Sequence, residues 1–154
     1  MKYLDVILWP VFCLIVGMIA AMLQSDSLRD WYPFLNKPSL TPPDWVFPLV
    51  WTALFILMGI SVALARRSAP HKQRKVITGI FLVQLAVNFF WSIAFFYLQS
   101  PSAGLWVISI LFALLLLYAR KIRPLGRPGT YLFVPYIIWV GFAWYLNWRV
   151  VMLN

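Results

Sequence analysis

The chain has 154 residues, of which 63% are hydrophobic and only 11% are charged. Soluble domains are roughly 45 to 50% apolar, so this composition argues against a soluble globular protein and predicts that the lipid bilayer is the surrounding solvent. The net charge of +9 at pH 7 lies in two short basic clusters between apolar runs, a distribution that indicates orientation in a membrane and no nucleic-acid partner.

Long uncharged stretches predict where the chain crosses the bilayer, which takes about 20 residues of helix. Stretches without Asp, Glu, Lys, Arg or His cover residues 6–25, 45–65, 76–119 and 128–148. The third is long enough for two spans, and Gln99-Ser100-Pro101-Ser102 within it is typical of a turn, because proline disfavours helix at the residue before it. We therefore predict an all-α fold, a single domain of five transmembrane helices at about 5–24, 45–66, 76–99, 103–122 and 129–151.

The connection between the first two spans, residues 25–44, is aromatic and rigid. It contains Trp31 and Tyr32 together with four prolines. Because proline fixes its own backbone angle and lowers the entropy cost of ordering a segment, this connection is predicted to form a lid over the helix bundle. The alternative is an interfacial loop whose aromatic rings lie at the level of the lipid headgroups.

Several tryptophans lie in the middle of predicted spans, although membrane proteins usually concentrate them at the interfaces. In the second span, Trp51 and Phe55 are four residues apart and share a helix face. In the fifth, Trp139 and Phe142 are three apart, and the small Ala143 beside them leaves room between rings. This pattern favours an aromatic pocket for a flat apolar ligand.

The third span carries a polar stripe. Gln84, Asn88, Trp91, Ser92 and Phe95 follow one another at helical spacing. Amides are costly against lipid tails, so this face is predicted to point into the bundle. There the amides either bond to neighbouring helices or line a cavity, and the spacing leaves both readings open.

Basic residues are concentrated in the connections that follow the second and the fourth spans. These clusters are Arg66, Arg67, Lys72, Arg74 and Lys75, and Arg120, Lys121, Arg123 and Arg127. The positive-inside tendency then predicts a cytoplasmic N-terminus, with residues 25–44 outside. Without an organellar presequence, the expected membrane is a bacterial inner membrane.

Residues for the common catalytic chemistries are missing from the predicted spans. Apart from Asp5 at the start of the first, no Asp or Glu lies in any predicted span, which removes candidates for a proton relay or an acid/base pair within the membrane. There is no glycine-rich phosphate loop followed by lysine. With one cysteine and one histidine, neither an intramolecular disulfide nor a Cys/His zinc site is expected. We predict no metal and no obligatory cofactor.

One stretch is especially distinctive: Trp31-Tyr32, then Leu35-Asn36-Lys37-Pro38-Ser39-Leu40-Thr41-Pro42-Pro43, then Trp45 and Trp51. The pattern continues with Gln84, Asn88 and Trp91, and with Pro135-Tyr136, Trp139, Phe142-Ala143 and Leu146-Asn147. In order and spacing, over essentially the whole chain, it resembles the tryptophan-rich sensory protein and translocator protein family, also called TspO/MBR or peripheral-type benzodiazepine receptors. Leu40 departs from the aromatic residue of most members, and Trp148 stands where the proposed sterol motif of animal members has tyrosine.

The resemblance implies a five-helix bundle, often a homodimer, with a pocket beneath the first loop. The ligands it implies are porphyrins, haem-type tetrapyrroles and isoquinoline carboxamide or benzodiazepine-type drugs. By position, the residues at the ligand would be Tyr32, Pro42, Trp51, Phe55, Gln84, Asn88, Phe90, Trp91, Trp139, Phe142 and Ala143. Arg29 and Lys37 would meet porphyrin propionates at the rim. A sterol is a further candidate, since Val140, Tyr145 and Arg149 fit a permissive sterol-contact pattern.

Three functions remain open from the sequence. The leading hypothesis is a tetrapyrrole-binding carrier, scavenger or sensor, because aromatic walls with a few polar contacts orient flat ligands. The resemblance also implies an alternative, a light-dependent porphyrin-degrading enzyme in which the excited porphyrin supplies the redox chemistry and Trp51 and Trp139 are the oxidisable residues. The third is a scaffold whose aromatic interior is only packing.

Overall fold

The computed structural model describes residues 4–154, which form five long helices and no β-strand. The helices are α1 (Leu4–Asp30), α2 (Val46–Ser68), α3 (His71–Ser92), α4 (Pro101–Ile122) and α5 (Arg127–Leu153). A π-helical segment, Ile93–Tyr97, extends α3, and short 3₁₀ turns occupy Tyr32–Phe34 and Arg123–Leu125. All five helices are long and apolar enough to cross a membrane, which confirms the predicted all-α bundle of five spans.

The helices pack around a common core in the order α1, α2, α5, α4, α3. Its fully buried side chains include Met58, Phe81, Tyr118, Phe133 and Tyr136. Large apolar side chains such as Trp106, at 76% exposure, cover the outside. An apolar surface of this kind fits a bundle whose outer solvent is lipid.

The two ends of the bundle differ in chemistry. We call the end that carries residues 31–45, the turn at 98–100 and the C-terminus the mouth end. The other, the basic end, carries the connections at 69–70 and 123–126 with their arginines and lysines.

Helix α1 is held closely against α2 near the basic end. A Cβ built on Gly59 would lie 2.4 Å from the backbone nitrogen of Pro10 and 2.5 Å from its Cα. Further along, a Cβ on Gly17 would lie 2.4 Å from Cε2 of the Phe55 ring. Small residues thus let the two helices approach closely.

The first helix is longer than the sequence predicts. It continues through residues 25–30 and ends at Asp30, so the connection to α2 is residues 31–45 instead of 25–44. Arg29 pairs with Asp26 at 3.4 Å and with Asp30 at 2.9 Å in this last turn. Counting uncharged residues locates the hydrocarbon core, but a helix continues beyond the core when its charged end reaches water.

The hairpin between the third and fourth spans turns at the predicted Gln99-Ser100-Pro101 sequence. In the π-helical segment, the Leu98 N–H donates to the Ile93 carbonyl at 2.8 Å. Gln99 then has a positive φ of 49°. The Ser100 hydroxyl accepts a bond from the Ala103 N–H at 3.3 Å and caps α4, and Pro101 is suited to the first helical position.

Candidate functional site

A cavity of about 380 Å³ opens at the mouth end among α1, α2, the π-helical end of α3 and α5, and part of residues 31–45 covers it. Small-molecule sites typically measure roughly 300 to 1,000 Å³. No residue of α4 belongs to the described lining. The cavity is therefore large enough for a small ligand.

Four rings form one continuous face of the cavity, which we call the aromatic wall: Phe55, Trp51, Trp91 and Phe95. Their successive ring centroids are 5.8, 5.9 and 6.0 Å apart, and successive planes differ by only 34°, 32° and 35°. Each helix supplies a pair at four-residue spacing, which places both rings on the same face. The two pairs meet at Trp51 and Trp91, and the resulting surface suits a flat aromatic ligand.

A hydrogen-bond chain fixes the orientation of Trp91. Its indole Nε1 donates to Asn147 Oδ1 at 3.2 Å, and Asn147 Nδ2 donates to the Pro101 carbonyl at 2.7 Å. The chain joins α3 to α5 and α5 to the start of α4. The central tryptophan of the wall is thus held before any ligand arrives, which limits the entropy cost of binding.

The polar side chains of α3 have both roles that the sequence left open, because some line the cavity and others bond to a neighbouring helix. Asn88 and Ser92 line the cavity, whereas Gln84 lies fully buried behind it. Asn88 Nδ2 donates to the Tyr136 hydroxyl, which in turn donates to Gln84 Oε1 at 3.0 Å. Gln84 therefore joins α3 to α5, while Asn88 presents polar atoms to the cavity.

Part of the segment 31–45, which we call the lid, lies over the cavity, with Tyr32, Thr41 and Asp44 among the lining residues. Two amides fasten it to the end of α5: the Asn36 N–H donates to Asn154 Oδ1, and Asn154 Nδ2 donates to the Asn36 carbonyl, both at 3.0 Å. Burial, and secondarily the Asp44 carboxylate, raises the pKa of Tyr32 to about 12. The shift favours the neutral phenol.

Six of the residues predicted to contact the ligand line the cavity. They are Tyr32, Trp51, Phe55, Asn88, Trp91 and Ala143. The other five lie outside the described lining: Pro42, Gln84, Phe90, Trp139 and Phe142.

Phe90 is 59% exposed on the outside of the bundle, because neighbouring residues of a helix point about 100° apart and Trp91 faces inward. Trp139 packs against Phe47 and Phe142 at ring distances of 6.0 and 5.6 Å. Its buried Nε1 has no hydrogen-bond partner among the described residues. Of the two tryptophans that the degradation hypothesis places at the ligand, only Trp51 reaches the cavity.

The two cations predicted for the rim have other partners. Arg29 is bound to Asp26 and Asp30. Lys37 Nζ donates to the carbonyl oxygens of Tyr32, Pro33 and Leu35 at 2.8 to 3.3 Å, so it stabilises the lid turn. Neither side chain lines the cavity.

The residues of the sterol-contact pattern differ in exposure, since Tyr145 and Arg149 are half-buried. Val140 is fully buried, and the Arg149 guanidinium lies 6.0 Å from the ring centroid of Trp148.

No metal site is evident in the described part of the chain: residues 4–154 contain no group of three or more His, Cys, Asp or Glu side chains placed to hold an ion.

Sequence reasoning missed the contribution of α1 and one end of α5. The α1 stripe consists of Leu14, Gly17, Met18, Ala20, Ala21, Gln24 and Leu28, and α5 adds Leu146, Asn147 and Val150. Gln24 and Asn147 could have indicated the cavity-facing sides of α1 and α5, since an amide near an apolar span tends to face a cavity or another helix. Phe95 and Phe96, in the π-helical segment, both line the cavity as well.

Comparison with known proteins agrees with this architecture. The sequence profile described as "TspO/MBR family" matches residues 9–153. The chain is 40% identical over 144 residues to the "Tryptophan-rich protein TspO" of Chlorobaculum tepidum, an alignment that covers 92% of this chain and 90% of that protein. It is 36% identical to the protein of the same name from Archaeoglobus fulgidus, over 92% and 91% of the two chains. The "Translocator protein" of Bos taurus is 28% identical over 86% of this chain and 80% of its own.

Proposed function

The chain belongs to the TspO/MBR family of membrane proteins, and from that premise we propose that it binds a flat tetrapyrrole-type ligand in the mouth-end cavity and acts as a carrier, scavenger or sensor of it. We propose the same cavity for drug-like isoquinoline carboxamides and benzodiazepines, whose fused aromatic rings can stack on the aromatic wall.

The aromatic wall is the observation that carries this proposal. Four rings whose successive planes are tilted by 32 to 35° form a continuous aromatic surface along one side of the cavity. An aromatic macrocycle gains both burial of apolar area and offset stacking on such a surface. Asn88 and Ser92 supply polar atoms at its edge, which is the usual way in which apolar sites fix orientation.

Replacing Trp51 by leucine is expected to weaken protoporphyrin binding about fivefold, because roughly 1 kcal/mol of stacking is lost while an apolar side chain remains. The measurement is quenching of tryptophan fluorescence in detergent, titrated with protoporphyrin in darkness. Trp106→Leu is the matched control, since Trp106 lies on the outer surface of α4 and its removal leaves the same number of tryptophans.

The proposal is supported if quenching of the wild type is saturable and if the affinity for protoporphyrin falls in Trp51→Leu but is unchanged in Trp106→Leu. The proposal is wrong if quenching by protoporphyrin is linear and unsaturable in the wild type. It is equally wrong if both leucine variants bind as the wild type does, because the ligand would then lie outside this cavity.

We also propose that the protein lies in a bacterial inner membrane with its basic end in the cytoplasm. The clustering of arginine and lysine at one end supports this orientation. Cys13, the sole cysteine, is fully buried and gives little background in thiol labelling. In intact cells a membrane-impermeant maleimide is expected to label Ser39→Cys, at the mouth end, and to leave the exposed Gln73→Cys of the basic end unlabelled. Labelling of Gln73→Cys alone would reverse the proposed orientation.

A further inference from the structure

The cavity has an unusual charge distribution for a site that would take an acidic ligand. Among its described lining residues, Asp44 alone carries a charge, and none is lysine, arginine or histidine. The remaining lining is apolar, aromatic or neutral and polar. A carboxylate that enters this cavity therefore leaves water without gaining a cationic partner, which is costly.

The basic side chains of the mouth end, Arg29, Lys37 and Arg149, lie outside the described cavity lining. Lys37 is held by three backbone carbonyl oxygens and lies 4.7 Å from the Tyr32 ring centroid. Arg29 lies between two carboxylates, Asp26 and Asp30. Moving either toward a ligand would break contacts that stabilise the lid or the end of α1.

The Asp44 carboxylate itself is exposed and pairs with no cation. In the described part of the chain the ion pairs within 4 Å are those of Arg29, and none includes Asp44. Its negative potential reaches the neighbouring lid residue, where it adds to burial in raising the pKa of Tyr32. The entrance is thus lined by an uncompensated negative charge.

From this arrangement we propose that Asp44 is a specificity residue, and that the cavity selects flat aromatic ligands whose rim is neutral or cationic over those with free carboxylates. Among tetrapyrroles the preferred class is the one with esterified acid side chains. This inference rests on the proposed function, because it specifies the ligand of the same cavity.

The experiment compares protoporphyrin with its dimethyl ester, which keeps the macrocycle and removes both negative charges. Each is titrated by tryptophan quenching against the wild type and Asp44→Asn in the same detergent. Removing the carboxylate is expected to tighten binding of the free acid about five- to tenfold, the effect of one partly screened charge, while ester affinity changes less than twofold. The two compounds partition differently into detergent micelles. This difference cancels when the acid-to-ester affinity ratio of Asp44→Asn is compared with that of the wild type.

Two further variants sharpen the result. Asp26→Asn removes a carboxylate outside the cavity lining and should leave both affinities unchanged. Asp44→Lys should bind the free acid still more tightly than Asp44→Asn does. Because salt screens charges, 0.5 M salt should reduce the difference in free-acid affinity between the wild type and Asp44→Asn. Melting temperatures of the ligand-free variants check that the fold is retained.

An acid-to-ester affinity ratio that is the same in the wild type, Asp44→Asn and Asp44→Lys would overturn the role of Asp44 while leaving tetrapyrrole binding intact. Saturable binding of neither compound to the wild type would instead remove the proposed function, and this inference with it. The two failures are therefore distinguishable in one set of titrations.

Discussion

Replacing Gly59 by alanine is expected to lower the free energy of unfolding by about 2 to 3 kcal/mol, the upper part of the range for overpacking a tightly packed interior. The added methyl would lie 2.4 Å from the Pro10 nitrogen and 2.5 Å from its Cα. These are backbone atoms inside a helix, so they cannot move aside as the end of a flexible side chain would. The two helices must separate, and contacts along α1 and α2 weaken together.

Thermal unfolding in detergent, followed by circular dichroism, measures this effect. Gly79→Ala is the matched control, because nothing lies within 4 Å of a Cβ built on this α3 glycine. Since alanine stabilises a helix interior by roughly 0.5 to 1 kcal/mol relative to glycine, the control should unfold at an equal or higher temperature. Equal melting temperatures for Gly59→Ala and the wild type would show that α1 and α2 are less closely packed at Gly59 than the structure indicates.

Replacing Ala143 by phenylalanine is expected to weaken protoporphyrin binding about 30-fold, which corresponds to roughly 2 kcal/mol of lost contact and overlap. Ala143 lines the cavity from α5 and is 7% exposed. A phenyl ring at this position would occupy space that the ligand needs. The fluorescence titration described for Trp51 gives the affinity directly.

Ala113→Phe provides the comparison for this substitution, because Ala113 is exposed on the outside of α4 and the same ring there would extend into lipid or detergent. Its affinity should match that of the wild type. If Ala143→Phe binds protoporphyrin with unchanged affinity and an unchanged melting temperature, the ligand does not use this cavity.

The five spans were predictable because the bilayer imposes them. A segment that crosses hydrocarbon must satisfy its own backbone hydrogen bonds and be apolar over about 20 residues, and both requirements are readable without a structure. The hairpin turn at Ser100 and Pro101 and the inward direction of Asn88 and Trp91 were predictable for equally local reasons. The distinctive stretch between Trp31 and Trp51 identified the family.

The sequence did not predict which faces of α1 and α5 meet the cavity. In a soluble helix, polar and apolar faces differ, and periodicity reveals the buried side. Helix α1 is apolar on every side, because lipid and protein interior favour the same residues. Leu14 in the lining and Leu8 on the outer surface are therefore the same residue type within one apolar span.

The partners of the charged side chains near the lid were also not predictable from the sequence. Arg29 and Lys37 were predicted to meet an acidic ligand from their position near the lid, but their partners depend on where a helix ends and how a turn closes. The structure directs Arg29 to two carboxylates and Lys37 to three carbonyl oxygens. The sequence by itself thus determined the number of spans, the family and the aromatic character of the interior, since each follows from local composition and order. Only the tertiary structure decided which rings form the wall and which charge stands at its entrance, because helix rotation and side-chain partners are set by packing between distant segments.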